Sequence, residues 1–178
     1  GDRFMMPSSR HAAAGHPPPA LLIVDCPERC DGLRDPEAPW DRIVPTDLTQ
    51  CARALWRAAR GGNRAWQTRA TRALAPVGFY GHLLVAGEAR GSQVDGLQEM
   101  LRHGLAPGRP AALIALAGQG FHGRAGRPWA ALEGNLHLSV MLPARVPAAP
   151  VLPSVTMLAA LATIEAIERA TDRRLRPG

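Results

Sequence analysis

The chain has 178 residues and a formal net charge of +6, and all 21 of its basic residues are arginine. That length suits one compact domain, or a small domain with an appendage. Three cysteines make an odd count that gives no closed disulfide framework and fit a reducing, cytoplasmic setting, and no run of roughly 18 apolar residues offers a membrane span.

Gly1 to Pro19 is polar, alanine-rich and closes on three prolines, which neither continue a helix nor pair inside a sheet. A disordered tail is expected there. Ala20 to Asp25 is a short apolar run bounded by proline and reads as a buried strand. Cys26 and Cys30 lack the spacing of a structural zinc site and read as ordinary thiols, and the acidic, proline-rich stretch Asp31 to Pro45 reads as a solvated loop. Thr46 is placed to cap a helix in which Leu48, Cys51, Ala52, Leu55 and Ala59 recur at helical spacing, with Gly61 and Gly62 ending it. A second, weaker helix bearing Arg64, Arg69 and Arg72 is expected beyond. Residues 20–82 carry no assigned role.

Phe79 to Gly87 reads as a strand. Ser92 then caps a helix whose Val94, Leu97, Met100 and Leu101 face inward, and Gly104 stops it. Ala111 to Ala117 is a continuous apolar run, as in a strand covered on both faces. It delivers a loop holding Gly118, Gly120, Gly123 and Gly126 together with His122, Arg124, Arg127 and Trp129. Backbone N–H groups and guanidinium forks in such a loop suit phosphate or carboxylate oxygens. Asn135 to Leu142 alternates, with Leu136, Leu138, Val140 and Leu142 on one face. After a proline-rich connection, Ser154 opens a long helix through Ala170 that is apolar nearly all round and so demands burial.

Three of these segments, in this order, resemble the signature segments of the biotin–protein ligase and lipoate–protein ligase superfamily. Gly91 to Asp95 (GSQVD) is similar to its G-S-T-N-D, Phe121 to Trp129 (FHGRAGRPW) to its G-R-G-R-x-G-R-x-W, and Gly134 to Ser139 (GNLHLS) to its G-x-N-L-Y-L-S. The resemblance covers residues 83–178. It implies an α+β fold, a mixed sheet packed with helices as in class II synthetase and biotin ligase-like catalytic domains. It further implies ATP with Mg2+ and biotin or lipoate as substrates, an acyl-adenylate intermediate, and a lysine of a carrier domain as acceptor. By position, Ser92, Gln93, Gln119, His122, Gly123 and Arg124 would bind substrate, and Arg124, Arg127 and Trp129 the nucleotide.

The departures are specific. Gln93 and Val94 replace the family's threonine and asparagine, Gly118 stands at its glutamine with Gln119 one residue late, Phe121 replaces a glycine, and His122 replaces an arginine. The family's catalytic lysine sits in a K-W-x-N-D segment after the long helix. Here Arg174 to Gly178 stands where that segment would begin, and no lysine occurs anywhere. No catalytic residue is therefore assigned. Three readings stay open: a partial ligase completed by a missing C-terminal half or a second chain; a non-catalytic adenylate-binding relative; and, in another class, an arginine-rich nucleic-acid module, which the scatter of the arginines disfavours.

Overall fold

The structure is a computed structural model and describes residues 20–61, 68–72, 80–143 and 152–172. The expected tail at Gly1 to Pro19 and the residue Arg64 lie outside the described residues. The chain divides into two compact units, Gly1–Pro143 and Ala144–Gly178.

The first unit is built on three parallel strands: β1 (Leu21–Val24), β4 (His82–Ala86) and β5 (Ala111–Ala115). These are the three continuous apolar runs of the sequence, and they sit centrally because both their faces are covered. Antiparallel strands flank them. On one side β3 (Thr68–Arg72) pairs with β1, and β2 (Asp41–Ile43) with β3; on the other, β8 (His137–Met141) pairs with β5. The order is β2-β3-β1-β4-β5-β8. A separate antiparallel hairpin joins β6 (Gly118–His122) to β7 (Pro128–Ala131).

Helices α1 (Gln50–Arg60) and α2 (Gln93–Arg102) share one core with one face of the sheet. Their inward residues, Leu55, Trp56, Ala59, Leu97 and Met100, join Ile23, Leu84 and Leu113. Trp56 is wholly buried. On the other face Leu22, Val24, Leu83, Val85 and Ala112 are covered by the segment after β1, which contributes Cys26, Cys30, Leu33 and Trp40. An α+β unit with a mixed sheet results, and with the helix of the second unit the described residues hold three α-helices.

Several local expectations are corrected. The cap of α1 is Thr49, whose Oγ1 accepts from the Ala52 N–H at 3.1 Å. Residues 45–47, begun by Pro45, form a separate 3-10 turn in which the Asp47 carboxylate accepts from the Val44 N–H at 2.8 Å, so Thr46 caps nothing. The weaker second helix is replaced over residues 68–72 by β3, because β1 and β2 both need backbone partners there. The alternation of β8 is present, but Leu138 and Val140 stand 47% and 42% exposed, while Met141, opposite Ala111, packs against the helix-side core. Residues 20–82 are not set apart from the later strands: β1, β2 and β3 share one sheet with β4, β5 and β8.

The second unit contains α3 (Leu152–Thr171), braced along its own length by an Arg169–Glu165 ion pair at 2.6 Å. Its Met157, Leu158 and Leu161 are each more than half exposed. Among the described residues no helix is long and apolar enough to cross a membrane.

Candidate functional site

Because β1, β4 and β5 run parallel, their carboxyl ends open at one edge of the sheet, the place where open α/β sheets bind ligands. Three stretches meet there: Asp25 and Cys26 after β1, Gly87 to Ser92 after β4, and the β6–β7 hairpin after β5.

Asp25 ties the first two together. One carboxylate oxygen accepts from the Gly87 N–H at 2.7 Å, and the other pairs with Arg60 Nε at 3.2 Å, with both side chains largely shielded from solvent. The Arg60 guanidinium also lies 5.8 Å from the Trp56 ring centroid, and its carbonyl accepts from the Arg90 N–H at 2.8 Å. The end of α1 and the β4–α2 loop are so close that a methyl on Gly61 would fall 2.3 Å from the Gly91 nitrogen, and Gly61 holds a φ of 66°. Glycine meets both requirements.

Ala89 fixes the third stretch. Fully buried, it bridges to Gly118; its N–H donates to the Ala117 carbonyl and its carbonyl accepts from the Gln119 N–H, both at 2.9 Å. The hairpin is therefore aimed back across the β4–α2 loop. Phe121 anchors its other side by packing its ring on His137 of β8, 5.1 Å between centroids.

At the tip, His122 makes the contact that organises the site. Its Nε2 lies 2.7 Å from Asp95 Oδ2, in the first turn of α2, and its Nδ1 lies 3.2 Å from the Gly123 carbonyl. Both neighbours are acceptors, so the ring satisfies both only as an imidazolium. The hydrogen bond to Asp95, then the Gly123 carbonyl, and then the Asp95 charge raise the histidine above its ordinary value of 6.5.

The other expected site residues spread over the α2 start and the hairpin. Ser92 sits at the N-cap of α2, buried, with no side-chain capping bond. Gln93 is buried with it and donates its amide to the Ala59 carbonyl at 3.4 Å, turned toward α1. Gln119 is exposed and reaches Glu88 at 3.5 Å. The Gly123 N–H closes the hairpin turn on the Arg127 carbonyl at 2.7 Å. A methyl on Gly123 would stand 2.8 Å from the Trp129 indole nitrogen, so the indole sits close against the Gly123 backbone, and it keeps 65% of its surface exposed. Arg127 is exposed. The backbone of Arg124 lies in the turn, beside Ala125 with its left-handed φ of 62°; the Arg124 side chain is outside the described residues.

Two contributors are not among the expected site residues, although Asp95 closes the GSQVD segment that resembles G-S-T-N-D. Asp95 stands in a helix-opening motif that does not announce a partner 27 residues on, and Ala89 acts through its backbone alone. Compared with protein-family models, curated sequences and solved structures, the chain matches none of them.

Proposed function

We propose that the carboxyl-end edge of the sheet binds an acyl-adenylate, biotinyl or lipoyl, in a domain akin to the biotin and lipoate protein ligases of the class II synthetase kind. The observation that supports this reading is convergence. Two of the three resembling segments, Gly91–Asp95 and Phe121–Trp129, come from separate parts of the chain and are joined by the His122–Asp95 contact. In this reading His122 and Arg127 face the phosphate, Arg124 joins them by its position in the resembling segment, Trp129 offers an exposed aromatic surface to the adenine or the acyl chain, and Gly123 and Gln119 approach the ligand from the hairpin. Ser92 and Gln93 sit at the floor, where Gln93 acts on the ligand only by giving up its bond to Ala59. Magnesium enters with the nucleotide, since Glu88 and Asp95 each face another protein group.

Acyl activation needs the labile anhydride held by fixed donors away from water. Acyl transfer in the family needs a lysine, and these 178 residues hold none. The reading is accordingly ligand binding by this chain, with a carrier domain as the acceptor partner and the catalytic lysine supplied from outside this sequence.

Calorimetry with a sulfamoyl analogue of biotinyl- or lipoyl-adenylate tests it. Binding by the unaltered chain is expected, and Arg124→Ala should abolish it. Absence of binding by the unaltered chain, or unchanged binding by the variant, removes the loop from the site. If the chain instead binds single-stranded nucleic acid with an affinity that falls steeply with salt, the arginine-rich module is the better description.

A further inference from the structure

We propose that Cys26 and Cys30 form a reversible intramolecular disulfide, a two-electron oxidation site for hydroperoxides beneath the carboxyl ends of β1 and β4. The two sulfurs lie 4.0 Å apart without a bond between them, and both are buried, Cys26 at 7% and Cys30 at 1% exposed. Burial keeps bulky thiols and other protein chains away and leaves each cysteine one sulfur within reach. A small hydroperoxide is the oxidant that fits such a place.

The pair is chemically unequal. The two thiols share one hydrogen bond in which either sulfur can donate; that bond pushes Cys26 above the ordinary thiol range and draws Cys30 below it, Arg29 also favours the Cys30 thiolate, and burial, Asp25 and Glu28 oppose it. In this scheme Cys30, next to Arg29 in the chain, takes the role of nucleophile and Cys26 that of resolving thiol. The Cys30 thiolate attacks the peroxide O–O bond, forming a sulfenic acid and releasing hydroxide or alkoxide. The Cys26 sulfur then attacks the Cys30 sulfur, forming the S–S bond and expelling hydroxide, which leaves as water with the Cys26 proton. Two thiols and one hydrogen peroxide become one disulfide and two waters. A low-molecular-weight thiol reverses the step by exchange.

Closing the bond brings the sulfurs from 4.0 Å to about 2.05 Å. Consecutive 3-10 turns, Pro27–Arg29 and Asp31–Leu33, must tighten to allow it. The first of these carries Arg29, whose guanidinium holds Glu133 in the β7–β8 turn at 2.7 Å. Gly87 also neighbours Cys26: a methyl there would make ordinary contact with its Cβ at 3.4 Å and its sulfur at 3.5 Å. The segment that moves with the pair is therefore the one that carries Arg29 and its contact to Glu133.

Cys51, half-buried on α1, is raised by burial and serves as the internal control. The test takes the reduced full chain, treats it with hydrogen peroxide, alkylates it in denaturant and measures its mass. The expected product takes up one alkyl group in place of three. Trypsin, which cuts after Arg10, Arg29 and Arg34, should yield His11–Arg29 joined to Cys30–Arg34, and a dithiol reductant should separate them. Cys51→Ser should leave the bridge intact, and Cys26→Ser should replace it with irreversible oxygen addition at Cys30. Full alkylation of all three cysteines after peroxide, sulfinic acids without a bridge, or a bridge containing Cys51 would each overturn the proposal. The peptide map of the unaltered chain decides this even if Cys26→Ser fails to fold.

Discussion

A histidine flanked by a carboxylate and a carbonyl keeps its proton to higher pH than a free one, and His122 is held this way by Asp95 and Gly123. Because the folded value is raised, the cationic contact is complete below the ordinary 6.5 and is lost as pH rises through the folded value. Anion binding by the hairpin should therefore weaken as pH rises through that raised value. Asp95→Asn should move the NMR titration midpoint of His122 toward acid, and an unmoved midpoint would remove Asp95 from this role. His122→Arg should make adenylate affinity independent of pH across the same window. The histidine stands out in the sequence as a departure from the arginine the resemblance leads one to expect. Its partner does not, because Asp95 also suits the first turn of a helix, where acids favour the dipole with no contact elsewhere.

Among elements, the junction of α1 with the β4–α2 loop is the tightest approach in the site. Gly61→Ala combines left-handed strain of about 1–2 kcal/mol with overpacking of about 1–3 kcal/mol, because its new methyl meets Gly91 backbone. Gly104 shares the left-handed conformation, with φ 71°, but has open space where a methyl would go, so Gly104→Ala should cost the left-handed strain alone, about 1–2 kcal/mol. Chemical denaturation of the two variants separates strain from crowding; equal losses would show that the approach at Gly61 is not close in solution. Both glycines are legible as helix stops. So are α1, α2 and the three apolar strands, since each is specified by a local period or run. β3 is not legible, because its pairing with β1 and β2 overrides a segment whose arginines fit a helix surface as well as a strand.

At the scale of the whole molecule, Asp25 joins three elements that no sequence pattern associates: β1, β4 through Gly87, and α1 through Arg60. Asp25→Ala leaves Arg60 and the Gly87 N–H without that carboxylate and should destabilise the fold by about 2–3 kcal/mol. Asp25→Asn, which still accepts from Gly87, should recover part of the loss; thermal unfolding of both variants checks the ranking. The sheet order was hidden for the same reason that Asp25 was: it depends on contacts between distant residues, and hydrophobic pattern says which strands are central without saying which are neighbours. That order has a consequence for biosynthesis. Among the described residues β1 is the first strand made, yet its two partners, residues 68–72 and 82–86, emerge only roughly 50 to 60 residues later. At roughly 5–20 residues per second, the apolar stretch Leu21–Val24 waits several seconds for β3 and β4 to emerge, and over that interval it should be the stretch of the nascent chain that gains most from a holding chaperone.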